Sequence, residues 1–157
     1  MKNARRWLQA DNIDLHLTAQ SEMDTIVEMM SLVEKDNAAT DLKELANDLL
    51  QHEVVSPSPN GICAVVFRIC SKAAKALRVY FGRFDGGIGY FSRGGHPIDL
   101  IFLVIAPPEE IDNFTTIVQR IEKLLVDKTV REQLRKAIKK ETIVNILKKD
   151  LITEDNK

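Results

Sequence analysis

Apolar residues recur every three or four positions from Met23 to Val33, through Ile26, Val27 and Met30. That period predicts an amphipathic helix. Ser21, with Asp24 three residues on, supplies its start signal. Thr40 is placed to cap a second helix carrying Leu42, Leu45, Leu49 and Leu50 on its apolar side, with His52 at its end. The stretch 56–61 holds two prolines and Asn60-Gly61, which ends that helix. The period then changes. "ICAVVF" (62–67) is a continuous apolar run and reads as a buried strand with Val65 and Val66 near its finish. "ALRVYFGRF" (76–84) alternates in part, with Leu77, Val79 and Phe81 set against Arg78 and Tyr80. "GIGYF" (87–91) is a short glycine-rich strand, and "SRGGHP" (92–97) is a turn. "PIDLIFLVIA" (97–106) is almost wholly apolar, as expected of a central strand covered on both faces.

Beyond Pro107-Pro108 the helical period returns. Ile111, Phe114, Ile117, Val118, Ile121, Leu124 and Leu125 mark one amphipathic helix. Asp127 can cap a shorter helix holding Val130 and Leu134, and Ile143, Ile146 and Leu147 mark a last one. Helices, then strands, then helices predict an α/β domain of three layers, its mixed sheet of about four or five strands flanked by helices. One domain is expected over residues 1–150, followed by a polar tail at 151–157.

Composition leaves that picture in place. The 157 residues are 45% hydrophobic and 29% charged, an ordinary globular balance. Cys63 and Cys70 lie in or beside one apolar run and show no metal-ligand spacing, which fits a reduced, cytosolic setting. The opening residues carry positive charge without the apolar stretch of a leader, and no run is long enough to span a bilayer. The net charge of −1 conceals an asymmetry. Residues 1–60 carry five basic and eleven acidic groups, whereas residues 128–149 carry eight basic and two acidic. The basic segment, with Arg131, Arg135 and Lys136, either steers an acidic partner or forms a solvated helix face.

Chemistry-bearing motifs are sparse. The three histidines are His16, which alternation puts on a strand face, His52 at a helix end and His96 in a turn. None has a second ligand at metal spacing. No nucleophile elbow, phosphate-binding loop or dinucleotide fingerprint occurs, so no cofactor is expected. Aromatic residues make up only 6% of the chain, which argues against a nucleic-acid stacking surface.

The stretch "GIGYFSRGGHPIDLIFLVIAPPEEIDNFTTIVQRIEKLLVDKTVREQLRKA" nonetheless resembles the C-terminal half of a known domain. This is the enzyme IIA domain of the sugar phosphotransferase system, of the fructose/mannitol/nitrogen-regulatory type. Pro97, Asp99, Leu100, Phe102 and Pro107 match its apolar strand, and Leu125, Asp127 and Leu134 match its motif beyond the next helix. The resemblance extends over roughly residues 8–150, more weakly in the first half. It implies the three-layer fold and a histidine that accepts phosphate and passes it on.

In that family the strand after the turn reads close to "N-G-I-A-I-P-H-G-K", whereas this chain reads "NGICAVVFR" from Asn60 to Arg68. The family proline falls on Val65 and its phosphoacceptor histidine on Val66. Valine has no lone pair to attack phosphorus. No histidine occurs anywhere between residues 53 and 95. The family arginine before the turn falls on His52, and the second histidine of mannitol-type members falls on Asn113. Cys63 is a conceivable acceptor but reads as a small core residue. The resemblance thus implies a degenerate site surrounded by His52, Gly61, Val65, Val66, Arg68 and Asn113, with no catalytic residue. The expected function is regulation by binding a protein: a phosphocarrier protein, a transporter domain, a kinase or a transcription regulator. The rival expectation is a working phosphotransferase that uses His52 or His96.

Overall fold

The computed structural model describes residues 7–52, 55–56, 63–85, 92–93 and 96–152. A short 3-10 turn at Ala10–Asn12 leads into β1, Ile13–Leu17. Helix α1 runs over Glu22–Asp36 and α2 over Leu42–His52. The strands that follow are β2 (Val55–Ser56), β3 (Ala64–Cys70), β4 (Arg78–Phe84), β5 (Ser92–Arg93), β6 (His96–Pro97) and β7 (Leu100–Ala106). A 3-10 turn at Pro108–Glu110 precedes α3 (Ile111–Leu124), α4 (Lys128–Lys136) and α5 (Lys140–Ile152). None of the described helices is long and apolar enough to cross a membrane.

The main sheet has five strands in the order β1-β4-β7-β3-β2, and β5 pairs separately with β6. β1 is parallel to β4 and β3 to β7, while β4–β7 and β2–β3 are antiparallel. The sheet is therefore mixed, as expected. β7 lies at its centre with every residue buried. One face packs on α1 and α2 through Met29, Val33, Leu45 and Leu49. The other packs on α3, α4 and α5 through Ile117, Ile121, Leu134 and Leu147. Phe81 and Phe102 meet edge to face at 5.1 Å inside that second layer. On the first face β4 passes so close to α1 that a Cβ at Gly82 would sit 2.7 Å from Met29 Sδ.

Several boundaries are as the pattern predicts. The Ser21 hydroxyl accepts from the Asp24 N–H, and the Asp127 carboxylate accepts from the Thr129 N–H. Others differ. The cap of α2 is Asp41, whose Oδ1 accepts from the Glu44 N–H at 3.1 Å. Thr40 is drawn away because its N–H and hydroxyl both donate to the Ala73 carbonyl. The exposed side of α1 retains Met23 and Val27, while the buried stripe is Ile26, Met29, Met30 and Val33. Tyr80 is not on a polar face. β4 is covered on both sides, so its alternation sorts Val79 and Phe81 into one layer and Tyr80 and Phe84 into the other. The "GIGYF" strand and the Gly94-Gly95 turn lie outside the described residues, as do residues 153–157 of the expected tail.

Candidate functional site

β3 does not finish at Val66. Val66 is its third residue, and the strand runs on to Cys70 because every residue from Ala64 pairs with β7 in an unbroken parallel ladder. Arg68 does not interrupt it: the guanidinium leans over α3, where its Nη1 donates to Glu122 at 3.4 Å. Val66 faces Phe102 across one ladder and Ser56 across the other. Its side chain is 2% exposed and belongs to the α3–α5 layer, together with Phe114 and Val118. Val65 turns to the opposite layer, against α1 and α2. Val65 and Val66 therefore point into different cores.

Just before the strand, Cys63 has a positive φ of 58°. This left-handed conformation is uncommon for a residue with a side chain. It aims the Cys63 carbonyl at the start of β7, where it accepts from the N–H groups of Asp99 and Leu100 at 3.0 and 3.3 Å. The thiol at the far end, Cys70, is pushed up in pKa by burial and by the Glu109 carboxylate, so it is a poor nucleophile.

Asn113 is exposed on the first turn of α3 and donates to Glu110 at 2.9 Å. Arg68 and Cys70 share a shallow groove of about 500 Å³ with Phe114, Thr115, Gln119 and Glu122. Its floor is apolar, and the ion pair closes one side. His52 closes α2, three residues before β2, and His96 opens β6. The side chains of both, and Gly61, lie outside the described residues. His16 is exposed on β1, and its Nδ1 lies 2.9 Å from the Asp85 carboxylate. Among the described residues no cluster of three or more histidine, cysteine or carboxylate side chains is placed to hold a metal ion.

The same end of the sheet holds two links that the sequence pattern did not reveal. Arg135 of α4 grips the buried Asp99 carboxylate through Nε and Nη2, at 2.8 and 3.0 Å. Arg83 of β4 donates to the carbonyls of Leu134 and Arg135, the last turn of α4. No spacing rule connects residues 83, 99 and 135, which meet only through the fold.

This arrangement of layers and strand order has relatives. Residues 6–150 match the family model of the phosphoenolpyruvate-dependent sugar phosphotransferase system, EIIA 2. The chain belongs to this family. A fructose-specific EIIABC component of the phosphotransferase system from Bacillus subtilis is 25% identical over 142 residues, 89% of this chain and 22% of that protein. A nitrogen regulatory protein from Bradyrhizobium diazoefficiens is 33% identical over 101 residues, 63% of this chain and 65% of its own length. The chain thus spans about a fifth and just under two thirds of these two relatives. In fold it is similar to the nitrogen regulatory protein IIA-Ntr of Neisseria meningitidis, with a TM-score of 0.70 and 18% identity over 94% of this chain and 99% of that one. Enzyme IIA of the mannitol system, solved in complex with phosphorylated enzyme IIB from Escherichia coli, is similar with a TM-score of 0.66 and 18% identity over 89% and 96%.

As an enzyme IIA-like chain, it carries the family's apolar strand as β7. At Val66 it offers a buried alkyl group with apolar packing.

Proposed function

We propose that this enzyme IIA-like chain, of the nitrogen-regulatory type, acts by binding a protein partner and does not relay phosphate at the family's histidine position. The observation that carries the reading is Val66. It is an alkyl side chain, 2% exposed, inside a continuous strand. A phosphoacceptor needs a lone pair that reaches a donor protein, and Val66 supplies neither the lone pair nor the access. Two polar residues that the resemblance sets around the site are engaged elsewhere, Arg68 with Glu122 and Asn113 with Glu110. Partner classes follow from the family: a phosphocarrier protein, a transporter component such as enzyme IIB, a kinase or a transcription regulator.

The test is incubation with the general phosphotransferase proteins and labelled phosphoenolpyruvate, followed by separation of acid-labile from acid-stable label. No label on histidine is the expected result. Acid-labile label on the unmodified chain that disappears in His52→Ala or in His96→Ala would overturn the reading and establish a phosphotransferase working through that histidine.

A further inference from the structure

Asp99, the residue before β7, ties several elements together at one end of the sheet. It is 4% exposed. Its N–H donates to the Cys63 carbonyl at the entry of β3, and its own carbonyl accepts from the N–H of Phe84, the last residue of β4, both at 3.0 Å. Its carboxylate is gripped by Arg135 in the last turn of α4. Arg83, which pairs with Leu100 in the ladder, joins the end of α4 to the Leu15 carbonyl of β1.

Two of the groups fastened here are held against resistance. Cys63 has a φ of 58°, a left-handed conformation that a side chain opposes. The other described non-glycine residue with positive φ, Asn37, follows the last turn of α1, where such a conformation is ordinary. Cys63 ends no helix. What keeps it left-handed is its carbonyl, which accepts from the N–H groups of both Asp99 and Leu100. α4 is held as lightly, because Leu134 is its one fully buried residue and the two arginines fasten its last turn. Without Arg135 the Asp99 carboxylate is a buried charge with its partner removed, and it turns toward water. The Asp99 N–H turns with it. Cys63 then relaxes to extended backbone and draws Ala64 away from Leu100, its partner in the ladder.

We infer that Asp99 and Arg135 form a latch that keeps Cys63 strained, and that displacing the end of α4 releases the entry of β3. Lys136 and Ile138, just after Arg135, are exposed, so a contact at this end of α4 acts on the latch directly. Val66, on which the proposed function rests, lies within the first turns of backbone that the release would move, three residues after Cys63. The bistable element is Cys63 itself, left-handed with the latch closed and extended with it open. The latch operates whether or not the chain carries phosphate.

The experiment is amide hydrogen exchange of the full chain, read by NMR at Ala64, Val65, Val66, Asp99 and Leu100. Arg135→Ala should raise exchange at these amides about tenfold or more, as a local opening. Arg78→Ala breaks a comparable ion pair, with Asp36, at the opposite end of the sheet, and should leave these amides at their wild-type protection. Adding Cys63→Gly to Arg135→Ala should return Ala64, Val65 and Val66 most of the way to wild type, because glycine occupies the left-handed region without resistance. Arg135→Lys keeps the charge but gives up the two-point grip. It should show the same pattern, and it serves where Arg135→Ala does not fold. Exchange at Ala64–Val66 that Arg135→Ala raises no more than Arg78→Ala does overturns the inference. A rise that Cys63→Gly leaves in place overturns it equally, since Arg135 would then be a fastener and Cys63 would store nothing.

Discussion

Placing a histidine at Val66 is the most direct perturbation of the proposed reading, and the structure sets its cost. In Val66→His an imidazole replaces a side chain that is 2% exposed and packed among Phe102, Phe114 and Val118. The larger ring must displace neighbours in a closed layer, which costs about 1–3 kcal/mol. Its two nitrogens enter a layer lined by apolar side chains, which adds about 1–3 kcal/mol by the experience of buried polar substitutions. The sum is about 4 kcal/mol, against a stability of about 5–15 kcal/mol for a domain. With a urea slope of about 2 kcal/mol per molar, the unfolding midpoint should fall by about 2 M. Trp7 is the only tryptophan and is buried, so its fluorescence reports the transition. Phosphotransfer to the folded variant should stay at background, because the new nitrogens face the α3–α5 layer and no donor protein reaches them. A variant with an unchanged urea midpoint that takes acid-labile phosphate at position 66 would refute the reasoning. It would mean that the strand turns that side chain to solvent and that the shell around it still supports chemistry.

Two further outcomes rest on the polar links across the layers. Arg135→Ala leaves the nearly buried Asp99 carboxylate without its bidentate partner. A loss of about 2 kcal/mol is expected, below the full cost of breaking a buried pair because Arg135 keeps some solvent contact, and the thermal midpoint should fall by about 4–8 °C in calorimetry. The Tyr80 phenol is pushed well above its ordinary range by burial, then by its hydrogen bond to Asp36. The unfolded chain releases that proton above about pH 10 and the folded chain retains it, so this stability is complete below that pH and is lost above it, by about 1.4 kcal/mol per pH unit. Urea titrations at rising pH should show a steeper alkaline loss for the wild type than for Tyr80→Phe.

The legibility of this fold tracks the reach of the signals. Helix starts written within four residues, such as Ser21 with Asp24 and Asp127 with Thr129, were readable because cap and donor are neighbours in the chain. The central strand was readable because Leu100–Ala106 has no polar residue to expose. Thr40 misled because its competing acceptor, the Ala73 carbonyl, is 33 residues away. The end of β3 misled for the same reason. The apolar run stops at Phe67, and it is Glu122, 54 residues on from Arg68, that gives the arginine a partner over α3 while the strand continues.

The basic segment shows how far a charge count carries before geometry is needed. Arg131, Arg135 and Lys136 look equivalent in sequence, yet the fold gives them different work. Arg131 donates from Nη1 to the carbonyls of Leu125 and Val126, satisfying the end of α3. Arg135 is spent on Asp99. Of the three, Lys136 is the one left exposed without an ion pair among the described residues, and Lys139 and Lys140 extend it around Ile138. Reversing the two arginines would unfasten helices and confound any binding assay with unfolding. Reversing the lysines removes charge and leaves the packing of α4 and α5 in place. The exposed positive surface is therefore smaller than the sequence suggests, and it is centred on an exposed apolar residue, Ile138.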